Sequence, residues 1–214
     1  MTNFVNRSGE GGWGAARADL RWSVDRQQGS PADLLAAGIP ADAGRLLRWC
    51  VPTSVALVLG SAQRGERGQV IRRRSGGAAV LVAPGRLLWA DVIVPRADPL
   101  WVEDVGRSAL WLGAVWAVAL TDVGVGGATV YRGPIQRSAT VCFAGIAPGE
   151  VVVAGRKLVG ISQRRTRFAA LYQCAVLRVT EPDETAAVGL DELADAAVEF
   201  PIIERAFERQ LALV

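Results

Sequence analysis

The run Ala109–Leu120, ALWLGAVWAVAL, is twelve consecutive apolar or glycine residues and constrains the fold more than any other stretch. A helix needs about 20 apolar residues to cross a bilayer, so this run is read as a helix buried inside a globular domain. It sits in a helical span predicted over Asp98–Gly124, with Glu103 and Asp104 in the first turn where the helix dipole favours acids. On either side the sequence reads as short strands. GRLLRWCVP and SVALVLG are split by Pro52, and QVIRRR, AAVLV and LLWADVIVP (Leu87–Pro95) come next. Beyond the helix come ATVYRG, ATVCF, EVVVAG, KLVGISQRR and RFAALYQCAVLRV, separated by glycine-rich turns. Ser30–Gly38 has a serine cap, proline at the first helical position and a closing glycine, which predicts a short helix. Helices are also expected at Leu190–Val198 and Pro201–Leu213. In the second, Ile203, Phe207 and Leu211 share one face and Glu204, Arg205, Glu208 and Arg209 cover the rest.

This order is not a regular βαβ alternation. It predicts an α+β fold, a mixed and largely antiparallel sheet packed by helices. The glycine-rich, polar residues 1–17 are expected to be a flexible N-terminal arm. Residues 18–214 are expected to form one domain, with its C-terminal helices within 185–214.

The chain contains no histidine. Ser-His-Asp and Cys-His catalysis are thereby excluded, as are HExxH and Cys2His2 metal sites. Proton transfer falls to a carboxylate, a lysine, a tyrosine, a thiol or water. Three cysteines (Cys50, Cys142 and Cys174) are widely spaced and form no CxxC pair. With no apolar segment in MTNFVNRSGEGGWG to suggest a signal peptide, a reducing, cytoplasmic location is expected. From Glu181 onward there are nine acids and two arginines, so a basic body carries an acidic tail. Such a body suits anionic partners: nucleic acid, a phosphate-bearing small molecule or an acidic protein surface.

Three stretches could carry chemistry. Lys157, in GRKLVG, is the only lysine among 24 basic residues. Lysine is a compact charge on a flexible stem, suited to a carboxylate or phosphate that changes shape during reaction. IRRRSGGAAVLVAPG runs three arginines into Ser75-Gly76-Gly77; the glycines allow close approach of backbone N–H groups to a ligand, although such a loop is also an ordinary turn. Cys142 lies fifteen residues before Lys157 with an intervening APGE turn, so both could flank one pocket. A thiol beside a cation is an activated nucleophile; alternatively Cys142 is a small buried hydrophobe, as Cys50 and Cys174 are read to be.

These residues resemble the lipoate–protein ligase A family of the biotin/lipoate protein ligase superfamily. Arg72-Arg73-Arg74-Ser75-Gly76-Gly77 matches its Arg-Arg-x-[Ser/Thr]-Gly-Gly loop, and Lys157-Leu158-Val159-Gly160-Ile161-Ser162 its lysine segment. RWCVPTSVALVLGSAQ resembles the strand and turn upstream, placing Gly60 and Gln63. The resemblance spans roughly residues 18–180 and implies a class II synthetase-like catalytic domain. It implies transfer of a lipoyl or octanoyl group to the lysine of a lipoyl-domain or glycine-cleavage carrier protein. Lys157 would hold the acyl carbonyl. Arg72, Arg73, Ser75, Gly76, Gly77, Ala78, Gly160 and Ser162 would bind the acyl substrate. No resident metal site is implied.

Two branches differ in chemistry. Ligases use ATP and Mg²⁺ to activate free lipoate or octanoate. Octanoyltransferases take octanoate from acyl carrier protein through a cysteine thioester and need no cofactor. The Cys-Phe dipeptide of the second branch matches Cys142-Phe143, and the Asn-Asp dipeptide of the ligases is not found. The histidine that usually comes after the loop is replaced within Ala79-Val80-Leu81-Val82-Ala83, and the Gln-His-Gly of the cysteine branch reads Gln173-Cys174-Ala175. These departures keep a third alternative, a non-catalytic module that binds lipoate or an acylated carrier. No nucleic-acid or membrane partner is expected.

Overall fold

The computed structural model describes residues 20–42, 44–64, 70–136, 140–193 and 198–214; residues 1–17, read as a flexible arm, lie outside this set. In chain order the elements are β1 Ser23–Gly29, α1 Pro31–Ala37, β2 Leu46–Pro52, β3 Ala56–Leu59, β4 Ile71–Arg72, β5 Val80–Val82, β6 Leu87–Pro95, α2 Leu110–Asp122, β7 Thr129–Val130, β8 Val151–Val153, β9 Arg156–Arg165, β10 Ala169–Leu177 and α3 Phe200–Leu211. Seven strands form one sheet in the order β1-β2-β6-β10-β9-β8-β7, and β4-β3-β5 form a small second sheet. Within the large sheet only β1 and β2 pair parallel, so the expected mixed, largely antiparallel sheet is what forms.

The interior strand β6 separates two cores of the protein. Leu88, Ala90, Val92 and Val94 face the main core, while Leu87 and Trp89 face a second one. Side chains alternate across a strand, so one run of nine residues supplies both. The main core is closed by α2 and α3. Trp116 of α2 stacks on Phe207 of α3 with ring centroids 3.8 Å apart, and Trp49 of β2 meets both rings edge-on. Ile203, Phe207 and Leu211 are all buried, as their shared face requires. Glu204 departs from its expected outward place: it is buried and pairs with Arg26 of β1. The second core lies between the large sheet, the small sheet and α1. Among the described residues no helix is long and apolar enough to cross a membrane.

Four segments differ from the sequence reading. Helix α2 begins at Leu110 rather than near Asp98, with no acid in its first turn. The Asp98 carboxylate accepts from the Leu100 N–H, Asp104 from the Gly106 N–H, and the Ser108 hydroxyl bonds the Val105 carbonyl. Side chains that capture nearby backbone in this way compete with helix and hold turns instead. The described residues 140–143 of ATVCF form no strand: Val141 makes one bridge to Ala79, and Cys142–Ala144 then turns as a 3-10 helix. Of the helix expected at Leu190–Val198, the described residues show a 3-10 turn at Leu190–Glu192, where Glu192 accepts from the Gly189 N–H and the Thr180 hydroxyl; residues 194–197 lie outside the described set. β1 carried no strand signal, because its exposed edge position lets both of its faces be polar.

Gly113 explains how the first turn of α2 meets the sheet. A Cβ there would lie 2.1 Å from the Gly149 carbonyl oxygen, at the turn leading into β8. We expect Gly113→Ala to lower the unfolding midpoint in a urea titration. Its helix-propensity gain of up to about 1 kcal/mol is outweighed by an overpacking cost of about 1–3 kcal/mol or more.

Candidate active site

A largely apolar pocket of about 480 Å³, including its open mouth, lies between the two sheets. Val58, Val80, Val82 and Leu87 supply apolar walls, joined by Leu35 of α1, and Trp89 lines the pocket from β6 of the large sheet. The polar lining comes from Arg73, Cys142, Ser162 and Gln173, with Gly160 and Phe143 beside them. A cleft with apolar walls and a few convergent polar groups is the usual form of a small-molecule site.

The loop after β4 is ordered by its own arginine. Buried Arg73 donates to the carbonyls of Gly76, Ala78 and Val58. Burial holds its guanidinium below the ordinary arginine range, and the neighbouring Cys142 sulfur opposes that shift when ionised. Arg72 is exposed and donates to the carbonyls of Gly60 and Gln63. These two arginines therefore spend donors on backbone oxygens. Gly60 must be glycine, because a Cβ would sit 1.8 Å from the Gly77 carbonyl oxygen. Gly77 takes φ +91°, open to glycine. The buried Ser75 hydroxyl lies 2.6 Å from Gln173 Oε1 and 3.0 Å from Ser162 Oγ, which joins the loop to β10 and β9. The Gly76 N–H donates to the Gln163 carbonyl.

Lys157 and Cys142 are brought together, as the intervening turn suggested. The β8–β9 hairpin turns at Ala154-Gly155, both at positive φ, and delivers Lys157 into the interior at 1% exposure. Its Nζ lies 2.6 Å from the Cys142 carbonyl oxygen, 3.9 Å from Cys142 Sγ and 4.8 Å from the centroid of the Phe143 ring. A residue not singled out in the sequence completes this group. Glu150, equally buried, accepts from Lys157 at 3.2 and 3.3 Å and from the backbone N–H groups of Ala147 and Ile161. Burial pushes the Glu150 carboxyl above the ordinary range, and the Lys157 ammonium counters it. Lys157 is not among the pocket-lining residues; it stands behind Cys142 and Phe143 and holds their main chain. Cys142 is half-buried and lines the pocket. The other two thiols are buried and pushed up by desolvation, Cys174 to about 12, which leaves both as core residues.

Asp91 is the second residue the sequence reading passed over. It is 1% exposed, and burial raises its carboxyl to about 6 against the hydrogen bonds of Trp89 and Gln173 and the charge of Arg48. Both Asp91 and Glu150 stand as lone acids beside or within valine-rich strands, a pattern that signals a buried charge with a dedicated partner.

The family model for the lipoyl protein ligase A/B catalytic domain matches residues 56–194. Solved structures agree with it in fold. A lipoate protein ligase of T. acidophilum, determined with bound lipoic acid, superposes with TM-score 0.68 at 16% identity, over 90% of this chain and 84% of that one. A lipoate-protein ligase A bound with ATP gives 0.68 at 14% identity, over 90% and 84%. The bipartite lipoate protein ligase of Thermoplasma acidophilum, studied with its E2 lipoyl domain, gives 0.65 at 14% identity, over 91% and 83%. No curated protein matches the chain. The architecture is thus the α+β fold of biotin and lipoate ligases. The chain belongs to the lipoyl protein ligase A/B catalytic domain family.

Two outcomes are expected from the buried acids. Removing one member of a buried ion pair costs about 3–5 kcal/mol, because the other charge is left unpaired. Lys157→Met should therefore lose about that much in urea unfolding, and adding Glu150→Leu should recover most of it. Asp91 has a raised pKa in the folded state, so the stability it contributes is fully present below its ordinary value of 3.8 and is lost as pH rises through about 6. Measured from pH 4 to 7, the stability of Asp91→Asn relative to the unsubstituted protein should rise with pH, by up to about 3 kcal/mol.

Proposed function

We propose that this protein attaches a lipoyl or octanoyl group to the lysine of a lipoyl-domain or glycine-cleavage carrier protein, by way of an acyl thioester on Cys142. The observation that carries this reading is Cys142 lining an apolar pocket with the Lys157 ammonium 3.9 Å from its sulfur. The apolar walls suit a medium-length acyl chain, and the polar lining suits its reacting carbonyl. The likeness to a ligase solved with lipoic acid and to one studied with its E2 lipoyl domain supports the acyl group and the acceptor.

In this scheme the Cys142 sulfur bonds to the acyl carbon of octanoyl-acyl carrier protein. The carbon–sulfur bond to the donor breaks, and the donor leaves as its thiol. The acceptor lysine amine then bonds to the same carbon. The bond to Cys142 breaks, and the proton released by the amine returns to the Cys142 sulfur. Lys157 stabilises the negative charge on that sulfur and fixes the 3-10 turn through the Cys142 carbonyl. Glu150 keeps the ammonium in place.

ATP-dependent ligation is the alternative. It would require Mg²⁺ beside the nucleotide, ordinarily held by one or two carboxylates. No carboxylate lines the pocket, and Glu150 and Asp91 are committed to cations and N–H donors. Among the described residues no three Cys, Asp or Glu side chains gather where a metal could bind. The described lining thus offers Mg²⁺ no carboxylate, and no step is routed through Mg-ATP. Thiol chemistry also suits a reducing compartment, and we place the protein in the cytoplasm.

The deciding experiment is intact-mass analysis of a lipoyl domain incubated with the protein. With octanoyl-acyl carrier protein and no ATP, the domain should gain one octanoyl group. The enzyme should show an acyl adduct that is absent in Cys142→Ser. A gain only with free lipoate, ATP and Mg²⁺ would establish a ligase instead. No gain under either condition would leave a binding module.

A further inference from the structure

Asp91 belongs to a line of polar side chains that crosses the sheet. Asp25, Arg48, Asp91, Gln173 and Ser162 are register partners in turn, across β1, β2, β6, β10 and β9. The next line on the same face is Cys50, Trp89, Ala175 and Gly160. The pocket lies over both: Ser162 and Gln173 of the first line and Trp89, Ala175 and Gly160 of the second all line it. It therefore runs from a polar rim to a floor of one large and two small residues.

One atom ties the two lines together. Asp91 Oδ1 accepts from Trp89 Nε1 at 2.8 Å and from Gln173 Nε2 at 3.2 Å. Gln173 Oε1 then accepts from the Ser75 hydroxyl, whose oxygen is the partner left for Ser162. The other Asp91 oxygen faces Arg48, 3.9 Å away. Burying an indole does not by itself demand this arrangement. Nε1 of Trp22, Trp101 and Trp111 is buried in this chain without a hydrogen-bond partner. A buried carboxylate is costly unless its contacts are specific, and the contacts of Asp91 fix the pocket.

We infer that Asp91 is a positioning residue that fixes the apolar floor and the polar rim of the pocket through one oxygen, and that Trp89, so held, sets the length of linear acyl chain admitted. The inference rests on the reading of the pocket as an acyl site and adds what selects its ligand. The indole cannot swing aside without giving up its bond to Asp91, so a chain too long for the floor meets a fixed wall. In a pocket that rigid, each methylene of misfit costs about tenfold or more in affinity.

The test is calorimetric titration of hexanoate, octanoate, decanoate and dodecanoate into the full chain. The unsubstituted protein should favour one length by about tenfold over the next longer acid. Trp89→Ala should move the preference to a longer acid. Asp91→Leu should flatten the profile, and Asp91→Asn should restore it, because the amide oxygen still accepts from both Nε1 and Nε2. Trp89→Phe keeps a ring but removes the N–H, so it should flatten the profile even if Asp91→Leu does not fold. An unchanged preference in Trp89→Ala, or in both Asp91→Leu and Trp89→Phe, overturns the inference while leaving the acyl reading intact. Binding of none of the four acids, together with no acyl transfer, overturns both.

Discussion

The buried pair of Lys157 and Glu150 is the interaction on which the site depends. Glu150 enters β8 just after the Ala147–Gly149 turn, and Lys157 leaves the next hairpin on β9. Their contact closes that hairpin from inside. The same ammonium then reaches out to the Cys142 carbonyl, adding a charged anchor to a segment that otherwise holds by a single bridge to Ala79 and its own 3-10 turn. A lone lysine in an arginine-rich chain has a physical reason here. A point charge can serve a carboxylate, a carbonyl and a ring face around it at once, whereas a planar fork has fixed directions.

The arginines of the loop after β4 illustrate a different use of charge. Their run into Ser-Gly-Gly suggested groups aimed at an anionic ligand. Arg73 and Arg72 satisfy carbonyl oxygens of a tight loop in which Gly60 closely approaches Gly77. The family motif is thus visible as a structural device: a buried guanidinium replaces a strand partner and leaves Ser75 facing β9 and β10.

Much of this was legible in the sequence where hydrophobic periodicity was strong. β6, β9, β10 and the buried face of α3 follow from their apolar patterns. The sequence was less informative where side chains, not periodicity, set the backbone. Asp98, Asp104 and Ser108 delay α2, and β1 hides as a polar edge. At the site, Lys157, Cys142 and the Ser-Gly-Gly loop stood out by rarity and motif. Glu150 and Asp91 did not: Glu150 meets Lys157 and Ile161 only once the β8–β9 hairpin folds, and the partners Arg48 and Gln173 of Asp91 are distant in sequence.

The three cysteines differ sharply in their surroundings. Cys50 and Cys174 are buried, Cys174 at 1% exposure although it borders the cleft, while Cys142 is half-buried and opens onto it. The folded chain therefore carries a single addressable sulfur. An alkylating label would mark that one position without any engineered tag, and whatever fills the cleft would shield it. Occupancy can thus be tracked by the extent of labelling, independently of any turnover.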